Sequence, residues 1–289
     1  MKIGAVIVLY DPEQDKIEET VGALNNQVDE ICLIDNSSST HSSWFLNRRN
    51  LKYIYLGKNK GIAFAQNVGI RELQNLSCDY ILFSDQDSKA MPTLVDSLLK
   101  VHSQLSQEGI NVATVGTVAI NERTGKKYPF RHKVFQNLVL DNTSIIEVDY
   151  VRNSMSLTSS EVLNIVGFMD NSLFIDGVDS EWCWRARVKG YRTFISEDSI
   201  IYHCLGKGDR HLLSKEITIP SPNRLFYQYR NFIWLLHRGY VPLRWKLKNF
   251  AKYLIKIPYY SLSCSPRGAY FCNIMSGIGA GFSKNRKML

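Results

Sequence analysis

The sequence predicts an α/β fold with a mostly parallel sheet, helices on both sheet faces and further helices near the carboxyl end. Within the first 120 residues, short apolar segments such as "IGAVIVL", "EICLID" and "YILFS" alternate with helical patterns. These strands are apolar throughout, which is typical of parallel sheets covered on both faces. Polar residues follow four successive strands, at the edge where such sheets bind ligands.

The elements are expected in a regular order along the chain. Between the strands we expect helices near residues 16–27, 61–76 and 92–107, the last beginning at Pro92 in its first turn. A second block, residues 145–204, contains the strand "IIEVDYV", a capped helix at "TSSEVLNIVG" and a helix after "FIDGVD". From residue 220 onward we expect helices that break at Gly239, Pro242 and Pro258.

Composition places the chain among globular proteins. It has 289 residues, 45% of them hydrophobic, which allows a large core and excludes disordered, fibrous and disulfide-rich classes. The six cysteines show no CxxC spacing, so we expect reduced thiols in a cytosolic protein. The opening "MKIGAVIVLYD" is interpreted as a buried strand rather than a signal peptide, and no run is apolar enough for a membrane span.

The charge is unevenly distributed along the chain. The net charge is +8, yet no acidic residue follows Glu216, while twelve lysines and arginines lie between Arg224 and Lys287. This asymmetry predicts two regions with different partners, residues 1–216 and residues 217–289.

The segment "FSDQD" carries the strongest chemical signal. Asp85 and Asp87 follow a buried strand, and paired carboxylates are costly to desolvate unless a cation or ligand compensates them. Mg²⁺ and Mn²⁺ suit a few carboxylates combined with a diphosphate. Two solvated turn residues are the simple alternative. An aspartyl-phosphate phosphatase is another, although Lys89 occupies the place where such enzymes carry Thr or Val.

Two further segments support a ligand site. "NKGIAFAQNVG" is a glycine-containing loop that enters a helix, and helix amino termini favour anions. Asp176, Asp179 and Glu181 lie close together at a helix start in "FIDGVDSEWCWRARVKGY". Acidic residues at a helix start also interact favourably with the helix dipole. The functional interpretation is a general base that deprotonates an acceptor hydroxyl.

Together these segments resemble a known family. The chain is similar, from Ile3 to about Gly206, to family-2 inverting glycosyltransferases of the GT-A fold, and within them to bacterial L-rhamnosyltransferases of surface polysaccharide synthesis. The motifs that carry the resemblance are "VIVLYD", "IDNSS", "NKGIAFAQNVG", "FSDQD", "VRNSMSL", "FIDGVDSEWCWRARVKGY" and "IIYHCLG". It implies a GT-A domain over 1–216, with a nucleotide-binding half (1–120) and an acceptor and catalytic half (121–216).

The resemblance also implies roles for individual residues. Asp179 would be the catalytic base, and Asp87 with His203 would hold the divalent metal, Mg²⁺ or Mn²⁺, although a lone histidine is often structural. The expected nucleotide-sugar contacts are Tyr10, Asp11, Asp35, Asn36, Asn59, Gly61, Asn67, Asp85 and Gln86. The expected acceptor contacts are Asn153, Asp176, Glu181, Arg224 and Arg230, the two arginines near a lipid-linked diphosphate.

The sequence departs from the family pattern at three places. Val178 stands where the family usually has Glu before the catalytic Asp, and Gln86 stands in the middle of the metal motif. The Q-x-x-R-W motif of processive synthases is absent, since "QYRNFIW" does not fit it. We therefore expect a single sugar transfer rather than polymerisation.

The basic end has an amphipathic pattern. Five apolar residues fall within an arc of about 80° at 100° per residue, namely Leu243, Leu247, Phe250, Leu254 and Ile257. Four basic residues face away from this arc, namely Arg244, Lys248, Lys252 and Lys256. The pattern predicts a helix lying in a membrane surface, and the alternatives are packing on the catalytic domain or against a second copy of the chain. No nucleic-acid motif accompanies it, so nucleic acid is not an expected partner.

The sequence therefore favours an inverting, metal-dependent glycosyltransferase that uses a nucleotide-sugar donor, with dTDP-L-rhamnose implied by the resemblance. Its acceptor is expected to be a lipid-diphosphate-linked saccharide at the cytoplasmic face of the membrane, in O-antigen or capsule-like synthesis. The alternatives are a transferase with another donor, a silent sugar-nucleotide-binding or scaffold protein, and the phosphatase.

Overall fold

The computed structural model describes residues 1–46, 48–122, 124–128, 133–203, 209–212 and 215–283. The strands, β1 to β12 in chain order, are Ile3–Leu9, Glu30–Asp35, Leu51–Tyr55, Tyr80–Asp85, Lys89–Ala90, Val112–Asn121, Val134–Leu140, Thr143–Val148, Ser156–Ser159, Arg192–His203, Asp209–Leu212 and Lys215–Thr218. The α-helices, α1 to α8, are Gln14–Leu24, Ile62–Asn75, Leu94–Gln107, Ser160–Val166, Val178–Val188, Pro222–Leu236, Leu243–Ser263 and Arg267–Ser283.

One large sheet organises the fold, with strand order β3-β2-β1-β4-β9-β6-β10-β8-β7. Its first half is parallel, because β1 lies between β2 and β4 and β2 continues to β3 in the same direction. The short strand β9 runs antiparallel to both β4 and β6, and β7 and β8 extend the far edge as an antiparallel pair. The predicted α/β class is confirmed, and antiparallel pairing is confined to the second half.

The sheet is covered on both faces because alternate residues of each strand point in opposite directions. In β1, Ile7 packs with Ile17 of α1 and Leu94 of α3, in one core cluster. The neighbouring Val6 packs with Ile70 of α2 in the other cluster. A strand that is buried on both faces has to be apolar throughout, which explains the uninterrupted apolar runs in the sequence.

Two of the predicted helix boundaries are wrong. Helix α3 begins at Leu94 after Thr93 as its N-cap, so Pro92 precedes the helix rather than opening its first turn. Helix α7 continues through Pro258 to Ser263, where a break was expected. Pro258 is exposed, so water can satisfy the carbonyl that loses its helical donor there. The break near Gly239 and Pro242 is confirmed, since α6 ends at Leu236 and α7 begins at Leu243.

The carboxyl-terminal helices are anchored to the second half of the sheet domain through α6. The Asn231 carboxamide donates to the carbonyl oxygens of Leu173, Ile175 and Asp176, at 2.7, 2.7 and 2.9 Å. Helix α8 lies directly on α6, and a Cβ added at Gly277 would be 2.4 Å from the Phe226 carbonyl oxygen. The predicted division at residue 216 falls inside β12, and separate domains stay a prediction.

The described residues also bear on redox state and membrane topology. Five cysteines are free thiols, with Cys272 exposed and the other four buried, whereas Cys204 lies outside the described residues. Over the described part of the chain, no helix combines the length and apolarity needed to cross a bilayer.

Candidate active site

The carboxyl ends of β1, β2 and β4 form one rim, and it holds the residues predicted to follow these strands. Tyr10 and Asp11 are both exposed directly after β1. Gln86, which follows β4, holds this segment with two hydrogen bonds. Its side-chain oxygen accepts from the Tyr10 amide at 2.8 Å, and its side-chain nitrogen donates to the Tyr10 carbonyl at 3.2 Å. The Asp11 amide donates to the Ser37 hydroxyl at 2.8 Å, which ties β1 to the loop after β2.

Asp35, at the end of β2, is fully buried. Its carboxylate accepts from the Tyr53 hydroxyl, from the Ser37 amide at 3.0 Å, and from the His41 amide at 3.2 Å. Burial by itself would raise the pKa of Asp35, but these hydrogen bonds lower it below its ordinary value. Asp35 therefore organises the loop after β2 as a charged, fully bonded residue, beneath the surface that a nucleotide would contact.

Two asparagines shape the loop that leads into α2. The Asn36 side chain donates to Asn59 Oδ1 at 3.0 Å and accepts from the Lys60 amide at 2.7 Å. Gly61 has a φ of 88°, and a Cβ there would lie 2.6 Å from the Phe174 ring. The loop after β3 is therefore held on the rim by Asn36 and packed against the catalytic half by Gly61.

The predicted donor contact of Asn67 does not fit its position. Its side chain is buried in α2, where Nδ2 donates to the Met169 carbonyl at 2.8 Å and to Asn171 Oδ1 at 2.7 Å. Its Oδ1 accepts from the Met169 amide at 2.9 Å. Because both polar atoms of the side chain are used, Asn67 connects α2 to the loop before α5 rather than facing a ligand.

The DQD turn lies beside the catalytic half. Asp87 is exposed and Asp85 is partly exposed, while the fully buried Ser88 bonds to the Ser154 hydroxyl at 2.7 Å. Within the described residues, no group of three or more His, Cys, Asp or Glu side chains could hold a metal ion. Two carboxylates do fit Mg²⁺ or Mn²⁺ when a diphosphate and water supply the other oxygens. The side chain of His203 lies outside the described residues.

Asp179 stands in the first turn of α5, which begins after Gly177 in a left-handed conformation. The carboxylate is partly exposed, and its Oδ2 lies 3.4 Å from the Asn153 amide. Desolvation raises the pKa of Asp179 to about 7, the negative charge of Asp85 adds to the rise, and the Asn153 amide and Arg152 partly offset it. A carboxyl group with this pKa can accept a proton near neutral pH.

The loop before Asp179 has an unusual backbone. Phe174 and Asp176 both have positive φ, at 63° and 64°, which non-glycine residues rarely adopt. Arg224 of α6 holds the Asp176 carboxylate with two hydrogen bonds, at 2.9 and 2.8 Å. The Arg224 side chain remains half exposed, so this pair lines the surface next to Asp179.

Two predicted acceptor contacts have structural partners instead. Glu181 is buried, and its carboxylate is bonded by Arg185 at 2.8 and 3.1 Å and by the Tyr240 hydroxyl at 2.6 Å. Arg230 donates to the carbonyl oxygens of Ser172 and Leu173 at 2.8 and 3.0 Å. The buried Glu181 is therefore not available to an acceptor, whereas Arg230 is partly exposed and uses Nη2 for these carbonyl oxygens.

Three features of the site were not expected from the sequence. Arg152 is exposed and close enough to Asp179 to lower its pKa. The bond between Ser88 and Ser154 joins the DQD turn to the segment carrying Asn153. Asn153 itself is buried and contributes its backbone amide to Asp179. All three involve the segment "VRNSMSL", from which the resemblance implied only Asn153, as an acceptor contact.

Several known proteins are similar to this chain. The dTDP-rhamnosyl transferase RfbF of Shigella flexneri is 31% identical over 262 residues, covering 88% of this chain and 86% of that protein. The crystal structure of S. aureus TarS 1-349 in complex with UDP-GlcNAc has a TM-score of 0.58 and 18% identity, covering 97% of this chain and 81% of that one. The structure of GalNAc-T7 with UDP, GalNAc and Mn²⁺ has a TM-score of 0.57 and 14% identity, covering 92% of this chain and 58% of that one.

The two solved structures support the fold, which is GT-A-like, and the sequence relationship supports the family. The family described as "Glycosyl transferase family 2" matches residues 5–163, which include the rim after β1, β2 and β4. With the rim, the partly exposed Asp179 and these matches taken together, the chain belongs to glycosyl transferase family 2 and is a glycosyltransferase.

Proposed function

We propose that this glycosyltransferase is inverting and metal-dependent, and that it transfers L-rhamnose from dTDP-L-rhamnose to a lipid-linked saccharide. The observation that carries the chemistry is Asp179, a partly exposed carboxylate whose pKa is raised to about 7 beside the rim. The donor is inferred from the similarity to a dTDP-rhamnosyl transferase over 88% of the chain.

In the proposed reaction, Asp179 removes the proton of an acceptor hydroxyl, and the resulting oxygen displaces the diphosphate from the sugar. A single displacement inverts the anomeric configuration. The Asn153 amide, 3.4 Å from Asp179 Oδ2, holds the carboxylate in place. Arg152 supplies a nearby positive charge that keeps part of the Asp179 population ionised near neutral pH.

Asp87 is the residue that would hold the metal, with Asp85 beside it at the donor ribose. Both lie at the end of β4, and carboxylate oxygens are the ligands that Mg²⁺ and Mn²⁺ prefer. When bound, the metal supplies positive charge to the departing diphosphate. The binding of the nucleotide is assigned to the exposed Tyr10 and Asp11, above the buried Asp35 and Asn36.

The acceptor side of the proposal rests on Asp176 and Arg224. Arg224 is half exposed, so it can bond an acceptor phosphate on one side while Asp176 holds it on the other. A lipid diphosphate would place the reaction at the cytoplasmic face of the membrane, with the protein bound there peripherally. The product would belong to a surface polysaccharide, such as O-antigen or a capsule.

The proposal is tested first by donor binding. Binding of dTDP-L-rhamnose, UDP-glucose, UDP-galactose and GDP-mannose is measured with Mn²⁺ and with chelator, for wild type and Asp87→Ala. Metal-dependent preference for the dTDP sugar, lost in Asp87→Ala, is the expected result. The matched control is Asp96→Ala, which removes an exposed carboxylate from the first turn of α3.

Other outcomes would correct specific parts of the proposal. Preference for another nucleotide sugar would discard rhamnose and keep the reaction type. Binding that does not depend on metal would discard the role of Asp87. Donor binding without transfer across a broad acceptor panel would favour a silent binding protein, and phosphate release from a simple ester would favour the phosphatase.

A further inference from the structure

Helix α7 carries an apolar surface that the described part of the chain leaves uncovered. Leu243, Leu247, Phe250 and Leu254 are 69%, 64%, 51% and 54% exposed. They recur at spacings of three and four residues, so they form one stripe along about three turns of the helix. Ile257, expected in the same stripe, packs inward against the cluster around Tyr260 instead. We call the four exposed residues the α7 stripe.

A row of basic side chains accompanies the α7 stripe. Arg244, Lys248 and Lys252 are exposed and follow one another at intervals of four residues, so they form a row along the flank of the helix, which begins beside the stripe at Arg244 and turns away from it. Lys256, expected in the same row, lies over the Tyr253 and Tyr260 rings on the packed side. No acidic residue follows Glu216 in the sequence, so this region of the chain supplies no countercharge of its own.

The packed side of α7 fixes which face remains exposed. Trp245 stacks edge-on against Trp184 of α5, with ring centroids 5.0 Å apart, and the Tyr229 hydroxyl donates to the Tyr253 carbonyl at 2.9 Å. These contacts hold the helix to α5 and α6 along one side. Rotation that would bury the α7 stripe would break both contacts, so the exposed stripe is a stable feature of the folded protein.

We infer that the α7 stripe and the adjacent basic row bind the surface of an anionic lipid bilayer, with the stripe inserted between the headgroups. An apolar stripe that adjoins a row of positive charge is the arrangement by which helices lie in a bilayer interface. Each basic residue near an anionic surface adds about 1 kcal/mol to binding. The inference deepens the membrane location in the proposed function, and it does not depend on the donor or on Asp179.

The charge distribution argues against a second copy of the chain as the occupant. A two-fold dimer through the α7 stripe would place the same patch of both copies face to face. The basic rows of both copies would then flank the interface, with no Asp or Glu after Glu216 to compensate them, and like charges beside an interface are unfavourable. An anionic bilayer complements both the stripe and the row.

The inference is tested by flotation of the full-length protein with vesicles. One set contains phosphatidylglycerol and phosphatidylcholine, and the other contains phosphatidylcholine alone. Wild type is expected to bind the anionic vesicles. Leu247→Gln/Leu254→Gln is expected to weaken that binding about tenfold or more. Lys248→Gln/Lys252→Gln is expected to weaken it about 25-fold, at roughly fivefold per charge removed.

Matched controls separate the surface from general effects. Val139→Gln changes a 70% exposed apolar residue on β7, and Lys100→Gln/Lys126→Gln removes two exposed charges elsewhere, so both are expected to bind as wild type does. Circular dichroism and binding of the nucleotide sugar are measured on every variant. Unchanged donor binding with lost vesicle binding supports the inference, and lost donor binding alone concerns the proposed function.

Two results would overturn the inference. The first is vesicle binding that neither α7 variant weakens. The second is a concentration-dependent dimer, measured by light scattering, that Leu247→Gln/Leu254→Gln abolishes in a protein that does not bind vesicles. The second result would assign the α7 stripe to a second copy of the chain.

Discussion

Asp35 and Asp179 are both aspartates at the edge of the core, yet their pKa values are shifted in opposite directions. Asp35 is fully buried and keeps a lowered pKa, because Tyr53, Ser37 and His41 donate hydrogen bonds to its carboxylate. Asp179 is partly exposed, and its pKa rises to about 7 under desolvation and the charge of Asp85, with one long bond from Asn153. Desolvation acts on both carboxylates, and only Asp35 accepts enough hydrogen bonds to overcome it.

Because desolvation raises the pKa of both carboxylates, the number of hydrogen bonds that each one accepts decides its protonation state. A carboxylate that accepts several hydrogen bonds is stabilised as the anion, and so it contributes to structure. A carboxylate with few donors keeps its affinity for a proton, as a catalytic base requires. The loop after β2 and the start of α5 thus differ in how many hydrogen-bond donors they offer to an aspartate. Four predictions test that difference.

The largest effect is expected from Asp179→Asn. The amide cannot accept the proton of the acceptor hydroxyl, so the rate of sugar transfer should fall by about 10²–10⁴-fold. Donor affinity should stay within a factor of about three, because the proposed role of Asp179 lies in the chemical step. Transfer rate and donor affinity are measured on the same preparation, and wild-type rates in the variant would remove Asp179 from the mechanism.

The second effect concerns stability and pH. Because the folded-state pKa of Asp179 lies above its unfolded value of 3.8, its protonated form stabilises the fold below about pH 4. This stability is lost as the pH rises through about 7. The free energy of unfolding of metal-free wild type should therefore fall relative to Asp179→Asn between these pH values, by roughly 2–4 kcal/mol at 1.36 kcal/mol per pKa unit. Urea unfolding from pH 4 to 8 measures it, and a constant difference would contradict the raised pKa.

The third effect is expected from Asp35→Asn. The amide would face the Tyr53 hydroxyl and the Ser37 and His41 amides without the charge that strengthens their bonds. The variant should lose about 2–3 kcal/mol of unfolding free energy at pH 7, which chemical denaturation measures. Asp96→Asn, at an exposed site on α3, provides the control and should change little. Equal stability of both variants would show that the Asp35 bonds do not hold the loop.

The smallest effect is expected from Tyr53→Phe, which removes one donor to Asp35 and leaves the others. The free energy of unfolding should fall by about 1 kcal/mol at pH 7, as for a single hydrogen bond. Because the pKa of Asp35 should then rise, the difference from wild type should shrink as the pH falls through the range where Asp35 is protonated. Denaturation at pH 7 and at pH 3 measures both parts, and a loss that persists unchanged at pH 3 would point to packing instead.

The sequence was sufficient to predict the rim but not the internal partners of its polar residues. The alternation of apolar segments identified β1, β2 and β4, and the position of Asp85 and Asp87 after a buried strand followed directly. Asn67 was expected to face the donor, yet it bonds to Met169, 102 residues away. Local patterns contain no information about such distant partners, so an exposed ligand contact and a buried bridge look the same in the sequence.

The same reason explains why the internal partners of two other residues were not predicted. Glu181 shares its carboxylate with Tyr240, 59 residues later, and Arg230 reaches carbonyls of Ser172 and Leu173 on a loop that precedes it by nearly 60 residues. The periodicity of α7 correctly gave its amphipathic character, but only the packing of Trp245 and Tyr253 decides which side remains exposed. The charge and apolar periodicity of the sequence show which residues share one face of a helix, whereas tertiary contacts decide which face is exposed.

The contact between Gly61 and Phe174 has a consequence for recombining this protein with its relatives. The Phe174 carbonyl accepts from the Ile62 amide at 2.7 Å, and the Phe174 ring fills the place where a side chain at residue 61 would lie. The loop before α2 and the loop before α5 are therefore expected to be compatible only as a pair, although more than a hundred residues separate them. Chimaeras that exchange residues 57–61 together with 170–177 should fold, and those that exchange one segment alone should show a lower melting temperature.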